Sequence, residues 1–247
     1  MAWLGLFGHS SGAAIMTNLA CRRIAGRVDS SETHDGGRFA LHTFSGGLAS
    51  TYFSLSKLVA SRDIQTAMRQ RGILYATDAL KLADGPRARA RLLAVRGPLL
   101  LSTRSPGGVL RGLWDLHESV RLHKHACSRA DSDHGTATSR IQLGAAYKEL
   151  SKQTLRDPIS LRFGRFQLEA AYDVLDGAHA AGEEVDHGQL LMCMKHLVET
   201  LWLLGNESKA IDLWWRAMSL ARLSGITDQL RQLQDIGRSA GWIDTRL

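Results

Sequence analysis

The stretch from Leu197 to Leu223, LVETLWLLGNESKAIDLWWRAMSLARL, constrains the chain more than any other. Two apolar-periodic segments flank a short polar break at Gly205-Asn206-Glu207-Ser208. In the second segment Ala210, Ile211, Trp214, Ala217 and Met218 recur at helical spacing and share one face. Small residues at Ala210 and Ala217, with Trp214 between them, let a neighbouring helix come close. The stretch therefore predicts two antiparallel helices joined by a tight turn, with an apolar face that needs further helices to cover it.

The same spacing returns upstream. Gly72, Ile73, Ala76, Ala79 and Leu80 repeat it, as do Gly112, Leu113, Leu116, Ser119 and Val120, and then Ala171, Tyr172, Leu175 and Ala178. Periodicity places helices at 51–61, 63–83, 87–104, 109–128, 137–153, 160–181, 187–204 and 207–223. An amphipathic helix at 227–240, with Leu230, Leu233 and Ile236 on one side, is suited to cover an exposed apolar end. Stops are clear at Asp84-Gly85-Pro86 and Asp157-Pro158. Gly97-Pro98 interrupts 87–104 and predicts a kinked or split helix. Ser30-Ser31, Gly36-Gly37 and Gly46-Gly47 mark 29–50 as a loop, and 129–135 reads as another. The expected division is an N-terminal segment at 1–50 and a helical domain at 51–247.

Gly205, Ala210, Trp214 and Ala217 resemble the turn glycine and the alanine–aromatic–alanine pattern of the second helix of tetratricopeptide repeats (TPR), and Leu143, Gly144 and Tyr147 resemble the leucine, glycine and tyrosine of that family's first helix. The resemblance covers roughly 63–223. It implies an all-α fold, a right-handed superhelix of antiparallel helix pairs capped by 227–240. It also implies a concave surface on the first helix of each pair. Here that means Met192, Lys195, Glu199 and Trp202, and in the preceding pair Thr138, Ile141, Ala145 and Lys148. Such a groove suits a peptide or helix of a protein partner, which makes the chain a scaffold, adaptor or assembly factor and not an enzyme.

Other chemistry is sparse. The net charge of +7 is concentrated in 57–111, where eleven basic side chains face three acidic ones. That field suits an acidic partner or nucleic acid, although Tyr75 is its sole aromatic residue, and single-strand platforms need several. Gly8-His9-Ser10-Ser11-Gly12 fits the nucleophile elbow of a serine hydrolase, with Ser10 as nucleophile. The helical periodicity of the rest of the chain does not supply the strand–helix context that motif requires. His123 and Cys127 share a helix face, as do Cys193 and His196, but no CxxC or HExxH accompanies them, so no metal is expected. There is no GxxxxGK[ST] phosphate loop, and no cofactor is expected.

Three scattered cysteines, Cys21, Cys127 and Cys193, argue for a reducing compartment and a cytoplasmic protein. Residues 1–28 lack acidic side chains and carry Arg22, Arg23 and Arg27, which would instead suit a mitochondrial transit peptide. No run of 18 apolar residues is present, so no transmembrane helix is expected.

Overall fold

The computed structural model describes residues 34–126, 129–154 and 157–243, with side-chain detail from residue 45 onward except at 126–134. The described residues form helices and no strands. In chain order these are α1 (His34–Leu58), α2 (Arg62–Leu82), α3 (Pro86–Leu101), α4 (Pro106–Ala126), α5 (Arg129–Gln153), α6 (Pro158–Ala180), α7 (His187–Leu203), α8 (Glu207–Leu223) and α9 (Thr227–Ser239). None is long and apolar enough to cross a membrane.

Local chemistry fixes most of the boundaries. Gly85 adopts φ +82° and hands the chain to Pro86 at the first position of α3. Asp157 caps α6 by accepting from the backbone N–H of Ile159 (3.1 Å) and Ser160 (3.0 Å), and Asp186 caps α7 through Gly188 N–H (2.8 Å). Helix α7 ends at Gly205, whose φ of +75° lets Asn206 N–H reach back to the Leu201 carbonyl at 2.9 Å.

Two expected loops are helical. Helix α1 runs through Gly46-Gly47 and across the boundary expected at residue 50. Gly46 is buried, and a Cβ there would stand 2.7 Å from Leu92 Cδ2. Its missing side chain serves a close approach to α3 and not a turn. Helix α5 likewise begins at Arg129, where a loop was expected, and a Cβ at Gly135 would meet the His123 ring at 2.6 Å. The expected split at Gly97-Pro98 is not seen. Helix α3 continues through Pro98 and ends three residues later. Pro98 has no N–H to give the Ala94 carbonyl, yet its own carbonyl accepts from Ser102 N–H at 3.1 Å and the helical path continues.

Consecutive helices pack on one another throughout the described chain. In addition, α1 touches α3, α3 touches α5, α5 touches α7, and α7 touches α9. The even-numbered helices have no such contacts among themselves within the described residues. The odd helices thus form one layer and the even helices a second.

Two pairs cross at glycines. A Cβ on Gly112 would lie 2.7 Å from the Gly97 carbonyl oxygen, and one on Gly164 would lie 3.0 Å from that of Gly144. Gly164, not Ala171, is therefore the counterpart of Gly112 in the third pair. Ala171 lies two turns further along the same face and is fully buried. The recurring small position falls at 72, 112, 164 and 210.

The largest core cluster unites α5 to α9 around Trp214, which is 1% exposed. Its indole Nε1–H donates to the Leu233 carbonyl at 2.7 Å, fixing α9 on α8. Further from the core, Leu110 and Trp114 on α4 and Ile159, Phe163 and Phe166 on α6 leave an apolar stripe exposed. Tyr147 bridges the two helices, bonded to His117 at 2.8 Å and stacked on Phe163.

Candidate partner-binding groove

Helix α7 is amphipathic in a way that exposes four residues. Leu190, Leu191, Met194, Leu197, Val198 and Leu201 are buried. Met192, Lys195, Glu199 and Trp202, spaced by three and four, share the opposite side. Met192 is 37% and Trp202 36% exposed. A cavity of about 340 Å³ lies between α7, α9 and the end of α5. Lys195, Glu199 and Trp202 line it from α7, Lys152 from α5, and Gln232 and Ile236 from α9.

Each wall is held in place. Lys195 Nζ donates to Gln232 Oε1 at 2.7 Å. Trp202 meets the edge of Trp242, which in turn packs against Trp214, so the exposed indole is continuous with the core. Glu199 is held by Lys148 of α5, which is only 2% exposed. Its ammonium pairs with Glu199, lies 3.5 Å from Glu149, and donates to His196 Nδ1 at 3.0 Å. Glu149 also pairs with Lys152 at 3.1 Å.

This density of like charge perturbs the cluster. Burial, with the ammoniums of Lys152 and Lys195 nearby, pushes Lys148 down to about 8, and Glu149 opposes that shift. Burial holds His196 well below the usual histidine range, reinforced by Lys148, Lys195, Lys152 and Lys57. His196 is thus neutral, and its Nδ1 lone pair accepts from Lys148. Lys195 is lowered by burial and then by Lys57, with Glu149 opposing. Lys57, at the end of α1, lies with its ammonium 4.2 Å from the centre of the Phe53 ring. It therefore belongs to the same electrostatic neighbourhood as α7.

Two expected groove residues are not surface groups. Ile141 is 3% exposed and sits inside the core, and Lys148 is covered by Glu199. The reason is the direct packing of α5 on α7. Side chains of α5 that point along the odd-helix layer meet α7 before they meet solvent. Thr138 bonds Gln189 (3.3 Å) in the same way. Sequence reasoning missed Lys57, Lys152 and Gln232 as members of the site. Only Lys152 had a local signal, lying one turn from Lys148.

The other candidates come apart. Cys193 is fully buried, its Sγ–H donates to the Leu168 carbonyl at 3.4 Å, and burial pushes its thiol up to about 12, so it forms no reactive pair with His196. His123 is buried beside the Ser119 carbonyl and Ser139 Oγ, both at 3.1 Å. Among the described residues no group of three His, Cys, Asp or Glu side chains could hold a metal ion. Ser10 and its motif, residues 1–28, Cys21 and the side chain of Cys127 lie outside the described residues.

The basic segment is partly spent internally. Arg96 forms a bidentate pair with buried Asp115 (2.7 and 2.9 Å), Lys81 pairs with Asp78, and Tyr75 stacks on Tyr52. Arg89 and Arg91 remain exposed on α3.

No protein-family model matches the chain, and no curated protein resembles it significantly.

Proposed function

We propose that the chain is a non-catalytic, TPR-like helical-repeat protein that binds a partner protein in the groove on its odd-helix side. The reading rests on one observation above all. Lys195, Glu199 and Trp202, which the repeat spacing selects on α7, line one cavity together with residues of α5 and α9. The odd-to-odd helix contacts fit a stack of helix pairs whose first helices form the inner layer. In such a stack a peptide or helix lies across several inner helices. Trp202 then serves as the apolar anchor, with flanking charge setting orientation.

The test is quantitative affinity capture with three variants run beside the native chain. Trp202→Ala, and the paired reversal Lys195→Glu with Glu199→Lys, are expected to deplete the same captured proteins. Trp114→Ala, on the exposed stripe away from the groove, is expected to retain them. Identical capture by all four proteins would refute the groove.

A further inference from the structure

We infer that the groove receives an acidic segment of its partner protein, and that Glu199 occupies the place that one of the segment's side-chain carboxylates takes on binding. This rests on the groove reading above. Three ammonium groups meet there, Lys148 and Lys152 from α5 and Lys195 from α7, and Lys57 at the end of α1 adds to the positive field on Lys195 and His196. Two carboxylates, Glu149 and Glu199, face them. The other acid of the cavity wall besides Glu199, Asp235, is paired with Arg238 at 3.0 Å. His196 is neutral, and Gln232 carries no charge. The surplus in the cluster is therefore one positive charge in a partly dehydrated site, with the field of Lys57 added to it.

The surplus is also unevenly matched. Lys148 lies under Glu199, but among the described residues no carboxylate lies within ion-pairing distance of Lys195. Its ammonium is met by the neutral amide of Gln232. An ammonium half removed from water gains more from an anion than from an amide. Lys152 and Lys195 stand on different helices and line the same cavity, so a carboxylate entering it meets both.

The arrangement of Lys148 and Glu199 adds a second step. The Lys148 side chain is 3% exposed and that of Glu199 is 23% exposed. Lys148 is the buried partner, and Glu199 is the more exposed, outward one. An incoming carboxylate can therefore take over Lys148 while Glu199 turns into water. Glu199 then competes with the partner, because it already satisfies the charge that the partner would satisfy. The apolar walls from Trp202, Leu203 and Ile236 call for an aliphatic or aromatic residue beside the partner's acid.

The test uses three fluorescent peptide pools of equal length with amidated C termini. Each mixes Leu, Phe and Trp at alternate positions; the remaining positions are Glu/Asp, Gln/Asn or Lys/Arg. Binding to the full chain is followed by anisotropy at low and physiological salt, with a single-stranded oligonucleotide as a further arm. The acidic pool is expected to bind best and to weaken with salt. Lys195→Ala and Lys152→Ala are each expected to weaken it about fivefold. Glu199→Gln is expected to strengthen it about fivefold, the opposite sign to a contact residue. Circular dichroism confirms that each variant is folded.

Weakening by Glu199→Gln, equal binding of the three pools, preference for the oligonucleotide, or no binding of the acidic pool at millimolar concentration would each overturn the inference. If those results appear while Trp202→Ala still depletes captured proteins, the acidic partner is wrong and the groove stands. If capture too is unaffected, both fail.

Discussion

The crossing of α3 and α4 makes a prediction whose sign can be worked from geometry. Gly112→Ala adds one Cβ. It would lie 2.7 Å from the Gly97 carbonyl oxygen, 3.0 Å from the Leu101 backbone nitrogen and 2.8 Å from Leu101 Cγ. Two of the three are backbone atoms, so no rotamer change relieves the clash, and α3 must move back by about half an ångström to restore van der Waals contact. Leu99 and Leu116, both fully buried beside the crossing, lose packing when it does. Overpacking of this kind costs about 3 kcal/mol at its upper end. Replacing glycine by alanine in a helix returns about 1 kcal/mol. The net loss is about 2 kcal/mol, or a fall in Tm of about 4–8 °C for a chain of this size. Gly177→Ala in α6 is the matched control, since its Cβ meets nothing within 4 Å. That variant keeps only the propensity gain, about 1 kcal/mol. Thermal melts followed at 222 nm, with urea midpoints alongside, read both. If Gly112→Ala is as stable as the native chain while Gly177→Ala rises, the two helices do not approach as described. If both fall, the propensity argument is wrong.

Stability should also depend on pH through the α5–α7 cluster. His196 is held below its ordinary value of 6.5, so on acidification the unfolded chain takes a proton that the folded chain refuses. The urea midpoint is expected to fall from pH 7 to pH 5, and His196→Gln to remove part of that slope. His117 and His123 are shifted in the same direction and add to the slope. Lys148 acts at the other end. Its folded form loses its proton near 8, whereas the unfolded form holds it to 10.5, so stability rises with pH across that interval by about 3 kcal/mol. Lys148→Met is expected to reduce that rise, the part left coming from Lys195 and Lys57, which are lowered in the same direction, and a flat profile in the native chain would contradict the burial of this ammonium. Cys193, buried and with its thiol raised to about 12, is expected to resist iodoacetamide at pH 8 and to react after urea unfolding. Peptide mass spectrometry reads that site directly, and labelling in the folded chain would place Cys193 outside the core.

Those parts of the fold whose signals are local could be read from the sequence. The α7–α8 hairpin, the proline-started helices α3 and α6 and the covering helix α9 all follow from caps and 3.6-residue periodicity. What misled was glycine. A glycine that ends a helix and a glycine that lets another helix come close look alike in one dimension. Gly205 does the first, at φ +75°. Gly46 and Gly135 do the second, and their reasons, Leu92 and His123, lie 46 and 12 residues away. The register of α6 failed for a related reason. Gly164 and Ala171 are both small and share a face, so periodicity could not choose between them. Only the opposed backbone of Gly144 does.

The groove divides along the same line. Met192, Lys195, Glu199 and Trp202 could be selected together because one helix fixes their common side. Ile141 and Lys148 depend on how α5 meets α7, and the contact that decides Lys148 joins residues 51 apart in sequence. Yet that contact also explains why the site has the charge it has. A lysine at the surface of a helix is hydrated and exerts little field beyond a Debye length of about 8 Å. A lysine packed between two helices keeps its field, lowers the proton affinity of its neighbours, and recruits a carboxylate from the surface to cover it. Glu199 is consequently both the groove's most exposed acid on α7 and the counterion of its most buried base. Reversing Glu199 would therefore set a second positive charge against the Lys148 ammonium. For that reason Glu199→Gln, which removes the counterion without adding a like charge, is the milder change, and tighter peptide binding together with a lower urea midpoint separates its role in recognition from its role in holding α5 on α7.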